Sequence, residues 1–333
     1  MSAGNLMRAM VVDDFGTGTF RLGEVERPVA GAGEVLIRVV ASGVNPLDSK
    51  IRTGKAPHGG MTAPAILGTD LSGVVEAVGE GVDDLAAEDE VFAFAGGVAG
   101  IPGSLAEYAV ADSRLVAKKP KTLSHREAAA LPLASLTAWE GLVSGTRVAA
   151  GESVLVMGGA GGVGSLVVQM AKGIGAEVFA TVSADKRDRV TELGATPVDR
   201  NATAAEIVAL SKDGLGFDVV YDTVGGAPLD MAFQVVRDHG RVTSCYGWGT
   251  HDLKAISRHG GTYVGVFVLL PMLTGRGREK HGEALRSIAA MVDAGQVRPV
   301  VDPRKFTLED AAAAHEAADS GKVAGKIVVD VAG

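Results

Sequence analysis

The residues Gly159, Gly161, Gly162, Val163 and Gly164 stand where the apolar run Ser153–Met157 gives way to an amphipathic stretch. Gly159-x-Gly161-x-x-Gly164 has the spacing of the dinucleotide fingerprint. Glycine is needed there for steric reasons. The chain turns sharply out of a strand, its backbone approaches a pyrophosphate, and the next helix packs closely on the sheet. The pyrophosphate would then rest on N–H groups at the helix N-terminus. Val163, Leu166, Val167, Met170 and Ile174 recur at helical spacing, and Gly173 and Gly175 offer a stop. A strand before, a helix behind and a further strand at Val178–Val182 support dinucleotide binding. The competing reading is a glycine-rich turn used only for packing.

The end of the second strand bears on which dinucleotide is bound. An NAD site usually has an acid there, about 20 residues past the glycines, for the ribose 2′-OH. Here Ser183 occupies that place, with Lys186 and Arg187 following. A small hydroxyl leaves room for a 2′-phosphate, and two cations can pair with it. This predicts NADPH. Asp185 could instead be the acidic anchor, or a first-turn residue favoured by the helix dipole. Arg200 adds charge on the adenosine side, or lies in an exposed loop.

These residues need a scaffold. Glu34–Ala41, Leu71–Val78, Val91–Phe94 and Leu105–Val110 read as short strands separated by Gly, Pro and Asp, which suggests a small barrel or sandwich. Near Leu131 and Pro132 the pattern changes. Helical periodicity then alternates with strands at Val154–Met157, Val178–Val182, Asp218–Tyr221, Arg241–Cys245 and Tyr263–Val268. That rhythm predicts an α/β doubly wound parallel sheet. The tail adds helices near Glu283–Ala294 and Leu308–Ser320 and a strand at Lys326–Val331.

Composition narrows the class. A chain of 333 residues is long enough for two domains, and 47% hydrophobic with 22% charged residues is ordinary for a globular enzyme. A net charge of −8 gives no reason to expect nucleic acid or an anionic membrane as partner. The longest apolar stretch, Tyr263–Leu273, is too short to span a bilayer and suits a buried strand and its exit. Met1–Met10 has no long apolar core, so it does not read as a signal peptide. Cys245 is the sole cysteine; an internal disulfide is excluded and a cytoplasmic location is expected.

Several motifs resemble one family. The run from Ala41 through Asn45, Pro46 and Asp48, the run Ile66–Val75, Leu136–Trp139, Gly159–Gly164, Asp222–Gly226 and the closing Gly325–Val328 resemble zinc-independent quinone oxidoreductases of the medium-chain dehydrogenase/reductase superfamily. They follow the family's order over nearly the whole chain. The resemblance implies a Rossmann domain, 132–271, inserted in a GroES-like β-barrel catalytic domain, 1–131 and 272–333. It also implies NADPH-dependent reduction of a quinone or an α,β-unsaturated carbonyl, in a homodimer or homotetramer.

The same resemblance bears on metal and on the site. Alcohol dehydrogenases of the superfamily place Cys in the early loop and a His-Glu pair in the following strand. Here the comparable residues are Asn45 and Thr69-Asp70. The seven histidines show no close ligand spacing. No metal is therefore expected, and a conjugated acceptor is easier to reduce than an alcohol is to oxidise. Asn45 becomes the first catalytic candidate, its amide reaching the nicotinamide ribose or the substrate carbonyl; on sequence alone it would be a turn residue before Pro46. Asp48 is read as structural, capping the next helix or bonding the barrel backbone. Thr137, Tyr246, Phe267 and Lys326 complete the expected nicotinamide side, with Tyr246, a wall beside it, as the second catalytic candidate. Phe267 is equally readable as part of an interface strand, and Trp248 as a lid. Where better-known quinone reductases carry tyrosines, this chain has Lys50 and Ala56.

Other readings stay open. A short-chain dehydrogenase needs Tyr-x-x-x-Lys, but the residues four after the tyrosines are Asp112, Gly225, Thr250 and Phe267. An enoyl-thioester reductase, or a weakly catalytic NADPH-binding sensor or structural protein, remains compatible with the motifs.

Overall fold

The structure, a computed structural model, describes residues 6–332. The outermost residues of the expected barrel part, 1–5 and 333, lie outside the described residues, as does half of the stretch Met1–Met10. The chain divides into two compact units. One comprises Met1–Leu133, Leu269–Asp293 and Pro299–Gly333; the other comprises Ala134–Val268 and Ala294–Arg298.

The second unit is built on six parallel strands. In space they run Thr196–Asp199, Glu177–Val182, Ser153–Met157, Phe217–Asp222, Val236–Ser244 and Thr262–Gly265. In chain order that is 3-2-1-4-5-6, so the order reverses at Ser153–Met157, between Glu177–Val182 and Phe217–Asp222. Ligands of such sheets bind outside the carboxyl ends of the strands at the reversal. The inner strands are apolar on both faces because helices cover both; Val154, Leu155 and Val156 have no exposed surface. The core beneath includes Phe217, Leu229, Phe233 and Val242, with the Phe179 and Phe217 rings edge to face at 5.2 Å. Burying each such side chain contributes roughly 1.5–3 kcal/mol before entropy is counted.

One expected strand differs. Tyr263–Val268 is strand only over Thr262–Gly265, and it forms the sheet edge with Tyr263 39% exposed. Its apolar residues resembled a buried strand because hydrophobicity alone does not tell a sheet edge from a sheet centre. Phe267 lies beyond it, ahead of the short helix Leu270–Thr274.

The first unit is β-rich and largely antiparallel. Its longest strand, Glu34–Gly43, pairs with Asp70–Val78, Tyr108–Asp112 and the closing Val328–Asp330. A smaller sheet of Phe20–Glu26, Leu6–Val12 and Ala65–Ile66 was not legible in the sequence. The strand expected over Leu105–Val110 begins later, at Tyr108. Its burial alternates residue by residue, as one solvated face requires.

Register does the positioning. Gly43 lies opposite Asp70 on one side and opposite Val328 on the other. The strand then ends, and two residues further on stands Asn45. Counting back from Val328 on the antiparallel partner reaches Lys326, and the Val44 N–H bonds the Ile327 carbonyl at 3.0 Å. Residues 281 apart in sequence thus face each other.

Candidate functional site

In the second unit, every expected cofactor residue from the glycines onward follows a strand's carboxyl end. The helix Gly162–Ile174 starts directly after the glycine turn and stops at Gly175 in the left-handed region, φ 97°. A Cβ on Gly159 would lie 2.4 Å from that of Ala180, and one on Gly164 would lie 2.2 Å from the Gly158 carbonyl oxygen. Both positions exclude any larger residue. A Cβ on Gly162 would meet nothing within 4 Å. The first and last glycines therefore serve packing, while Gly162 faces open space. The first-turn N–H groups of Gly162, Val163 and Gly164 have no carbonyl within the helix to bond, as at any helix start. This arrangement fits a pyrophosphate.

The neighbouring strand ends shape the rest. Ser183 precedes a single turn, Ala184–Lys186, and Lys186, Arg187 and Arg200 are exposed. The Arg200 N–H bonds the Val182 carbonyl at 3.1 Å, which sets Arg200 beside the end of Glu177–Val182. Asp185 accepts the Ser183 hydroxyl; that bond, with Lys186 and Arg200 nearby, holds its carboxyl below the usual carboxylate range. The acid is thus engaged locally and set among cations, a setting that fits a 2′-phosphate.

Asp222, fully buried, organises the turn after the fourth strand. It accepts the Val224 N–H at 3.0 Å, the Gly225 N–H at 3.0 Å and the Ser244 hydroxyl at 2.7 Å. Ser244 in turn accepts the Tyr246 N–H at 3.0 Å. The motif Asp222–Gly226 was visible in the sequence, but this anchoring of Tyr246 was not. Tyr246 and Trp248 are exposed, and the Trp248 and Phe267 rings stand edge to face at 6.0 Å. Thr137 is buried, and its carbonyl accepts the Tyr221 hydroxyl at 2.6 Å. The following Glu140–Gly145 is a π-helical turn in which Gly141 makes room for the Tyr221 ring.

The first unit holds a buried polar cluster around Asn45. The Asn45 amide donates to the Thr69 hydroxyl oxygen and to Asp70 Oδ2, each at 2.9 Å, and its oxygen accepts from Lys326 Nζ. Lys326 Nζ also lies 3.4 Å from Asp70 Oδ2. Asp70 Oδ1 accepts the Leu133 N–H at 2.8 Å. Asn45 is the residue before the helix Pro46–Arg52, and Asp48 reaches back to its N–H at 2.7 Å. Asp48 thus caps that helix start. Both amide hydrogens and the amide oxygen of Asn45 are engaged within this cluster. Burial pushes Asp48 up to about 7, and the Asp70 charge adds to it; Asp70 is raised by burial against the pull of Lys326. Lys50 is half-buried and Ala56 buried, one turn and more beyond.

The cluster does not fit a zinc ion. Its donors are an amide, a hydroxyl and two carboxylates, and an ammonium already stands against Asp70. Among the described residues no three His, Cys, Asp or Glu side chains group to hold a metal. No helix among them is long and apolar enough to cross a membrane. A cavity of about 430 Å³ in the same unit, bordered by Met7, Ile66, Tyr108 and Arg278, contains none of the expected site residues.

Comparison with known proteins agrees with this architecture. Residues 31–121 match a family described as Alcohol dehydrogenase GroES-like domain, and residues 193–329 one described as Zinc-binding dehydrogenase. The chain is 36% identical over 332 residues to the NADPH-dependent alkenal/one oxidoreductase, chloroplastic, of Arabidopsis thaliana, covering 97% of this chain and 79% of that protein. It is 32% identical over 342 residues to the chloroplast envelope quinone oxidoreductase homolog of the same plant, covering 98% and 99%. A crystal structure of an alcohol dehydrogenase superfamily protein from Novosphingobium aromaticivorans superposes with a TM-score of 0.95 at 44% identity, covering 98% of this chain and 100% of that one.

Proposed function

The chain belongs to the medium-chain dehydrogenase/reductase superfamily, in its quinone oxidoreductase group, and from that premise we propose that it is an NADPH-dependent reductase of quinones or α,β-unsaturated carbonyls. The observation that carries this reading is the glycine turn at the reversal of strand order, with exposed cations at the next strand ends. When bound, the cofactor supplies a hydride. The chain supplies the rest. Gly162, Val163 and Gly164 hold pyrophosphate through backbone N–H groups. Ser183, Lys186, Arg187 and Arg200 favour a 2′-phosphate. Tyr246, Phe267 and Thr137 line the nicotinamide side and exclude water from it. Asn45 holds Lys326 and Asp70 in place through its amide.

The cluster's misfit to zinc supports a conjugated acceptor over a simple alcohol. Hydride addition to such an acceptor spreads charge over the substrate, so no Lewis acid is demanded. One cysteine in the chain supports a reducing compartment such as the cytoplasm. The exposed edge strand Thr262–Gly265 supports a homodimer or homotetramer.

Following NADPH absorbance across quinones, enones, enals, enoyl thioesters and, in reverse, simple alcohols tests the reading. Turnover of quinones or enones is expected. Faster oxidation of simple alcohols than reduction of any conjugated acceptor would overturn it.

A further inference from the structure

We infer that the cavity bordered by Met7, Ile66, Tyr108 and Arg278 is a ligand site of the first unit, and that it takes a neutral apolar compound whose carbonyl oxygen accepts from Arg278. Every residue bordering the cavity belongs to that unit, and the inference stands whether or not the reductase reading holds.

A volume of about 430 Å³ lies in the range of small-ligand sites, whose walls are mostly apolar with a few polar groups that fix orientation. The floor is buried: Met7, Ala95, Ala109 and Leu115 are each at most 6% exposed. Val29, 80% exposed, stands at the rim. Ile101 forms part of the wall between. Its N–H bonds the Val98 carbonyl at 3.0 Å and its carbonyl accepts the Gly97 N–H at 2.9 Å, so its backbone is satisfied locally. The Arg27 guanidinium lies 3.8 Å over the Tyr108 ring and steadies that side.

The polar end offers donors and no acceptor on Asp112. Arg278 has five N–H groups. Nη1 bonds Asp112 Oδ2 at 3.0 Å, Nη2 the Met272 carbonyl at 3.3 Å and Nε the Pro271 carbonyl at 3.4 Å. Among the described residues these are its partners, so each Nη keeps one N–H. Asp112 is filled. Its Oδ1 accepts the Arg114 N–H at 3.0 Å and Nε at 2.9 Å, and its Oδ2 accepts Arg114 Nη2 at 2.7 Å besides Arg278. Against the cost of burial, these bonds hold its carboxyl at about 2. The Arg278 side chain is 19% exposed. Donors so nearly desolvated are costly to leave without an acceptor.

Charge decides what kind of acceptor fits. Arg278 and Arg114 bring two positive charges. Asp112 balances one and Glu34, opposite it in strand register, the other. Glu26 also borders the cavity, so an anion would meet net negative charge. A carbonyl oxygen has lone pairs for the Arg278 N–H groups and adds no charge. Its apolar body then covers the floor and Ile101, and the released water contributes the hydrophobic part of the affinity.

Benzophenone, a neutral apolar ketone that attaches to nearby C–H bonds on irradiation, is the probe. Methyl hexyl ketone and octanoate serve as competitors. Isothermal titration should show one saturable site, and irradiation should tag peptides carrying Met7 or Ile101. Methyl hexyl ketone should displace the probe and octanoate should not. Arg278→Met should weaken binding about tenfold or more, the effect of losing a hydrogen bond to a charged donor. Arg278→Lys, which keeps the charge, should weaken it less. Ile101→Trp, which fills the cavity, should abolish binding. Thermal melts report whether each variant folds; if Arg278→Met does not, Arg278→Lys and Ile101→Trp carry the comparison. No saturable site, tags confined to other segments, or affinity unchanged in the variants would overturn the inference. Octanoate competing as strongly as the ketone would make this an anion site and overturn it equally.

Discussion

Asp48 accepts the backbone N–H of Asn45 at 2.7 Å, while its second carboxylate oxygen is buried without a partner. The acid therefore closes a helix start and at the same time sits in a place hostile to its charge. Burial pushes it up to about 7, with Asp70 adding repulsion and Lys326 opposing it.

This sets a pH dependence whose sign is definite. Between the ordinary carboxylate range and about 7 the folded state holds a proton on Asp48 that the unfolded state releases. Stability falls as pH rises through that window and levels off above it. Asp48→Asn keeps an oxygen for the Asn45 N–H and removes the ionisation. The variant should gain on the wild type, on the order of 2–3 kcal/mol, as pH rises from about 5 to about 8. Denaturant unfolding of both proteins at the two pH values measures it. A difference that stays flat would mean that Asp48 does not titrate in this window.

The glycine turn separates packing from binding. Gly164→Ala pushes a Cβ into the Gly158 carbonyl and should destabilise the fold by about 1–3 kcal/mol. Gly162→Ala meets no protein atom, so its melting temperature should match the wild type. It should nonetheless bind NADPH at least about tenfold more weakly, because the Cβ stands where phosphate approaches. Isothermal titration and thermal melts on the two variants read both effects. Unchanged NADPH affinity in Gly162→Ala would remove the pyrophosphate from this turn.

The proposed 2′-phosphate site around Ser183 makes cofactor choice a test. NADPH should bind at least about tenfold more tightly than NADH, about 1.4 kcal/mol. Lys186→Ala and Arg200→Ala should weaken NADPH and leave NADH unchanged. Asp185→Asn removes the anion bonded to Ser183 and should widen the preference. Equal affinities for the two cofactors in the wild type contradict this assignment.

Cys245 should be chemically quiet. Burial, with the Asp222 charge beside it, pushes its thiol up to about 12. Thiolate is the reactive form, so a disulfide reagent near neutral pH should label the native protein slowly and the unfolded protein quickly. Rapid labelling of the native protein would show that the strand end around Ser244 opens readily.

The parallel sheet and its glycine turn were legible because their signals are local. Helical periodicity, buried strands and a glycine cluster lie within a few residues of one another, and each is set by backbone sterics. The edge position of Thr262–Gly265 was not legible, since it depends on what the last strand lacks as a neighbour. Nor was the sheet that joins Leu6–Val12 to Ala65–Ile66, strands separated by fifty residues and more.

The sequence by itself determined the βαβ order, the place of the glycine turn, the small hydroxyl and cations at the next strand end, and the lack of a zinc ligand set at Asn45 and Thr69-Asp70. Only tertiary structure decided what Asn45 does. Strand register brings Lys326 across 281 positions to its amide oxygen, and Asp70 and Thr69 to its amide hydrogens. No local pattern encodes that meeting, because register is fixed by which strands pair and where the closing strand returns. The same folding removes water from Asp48 and Asp70, and the free energy of that burial, absent from the sequence, gives the cluster its charge behaviour.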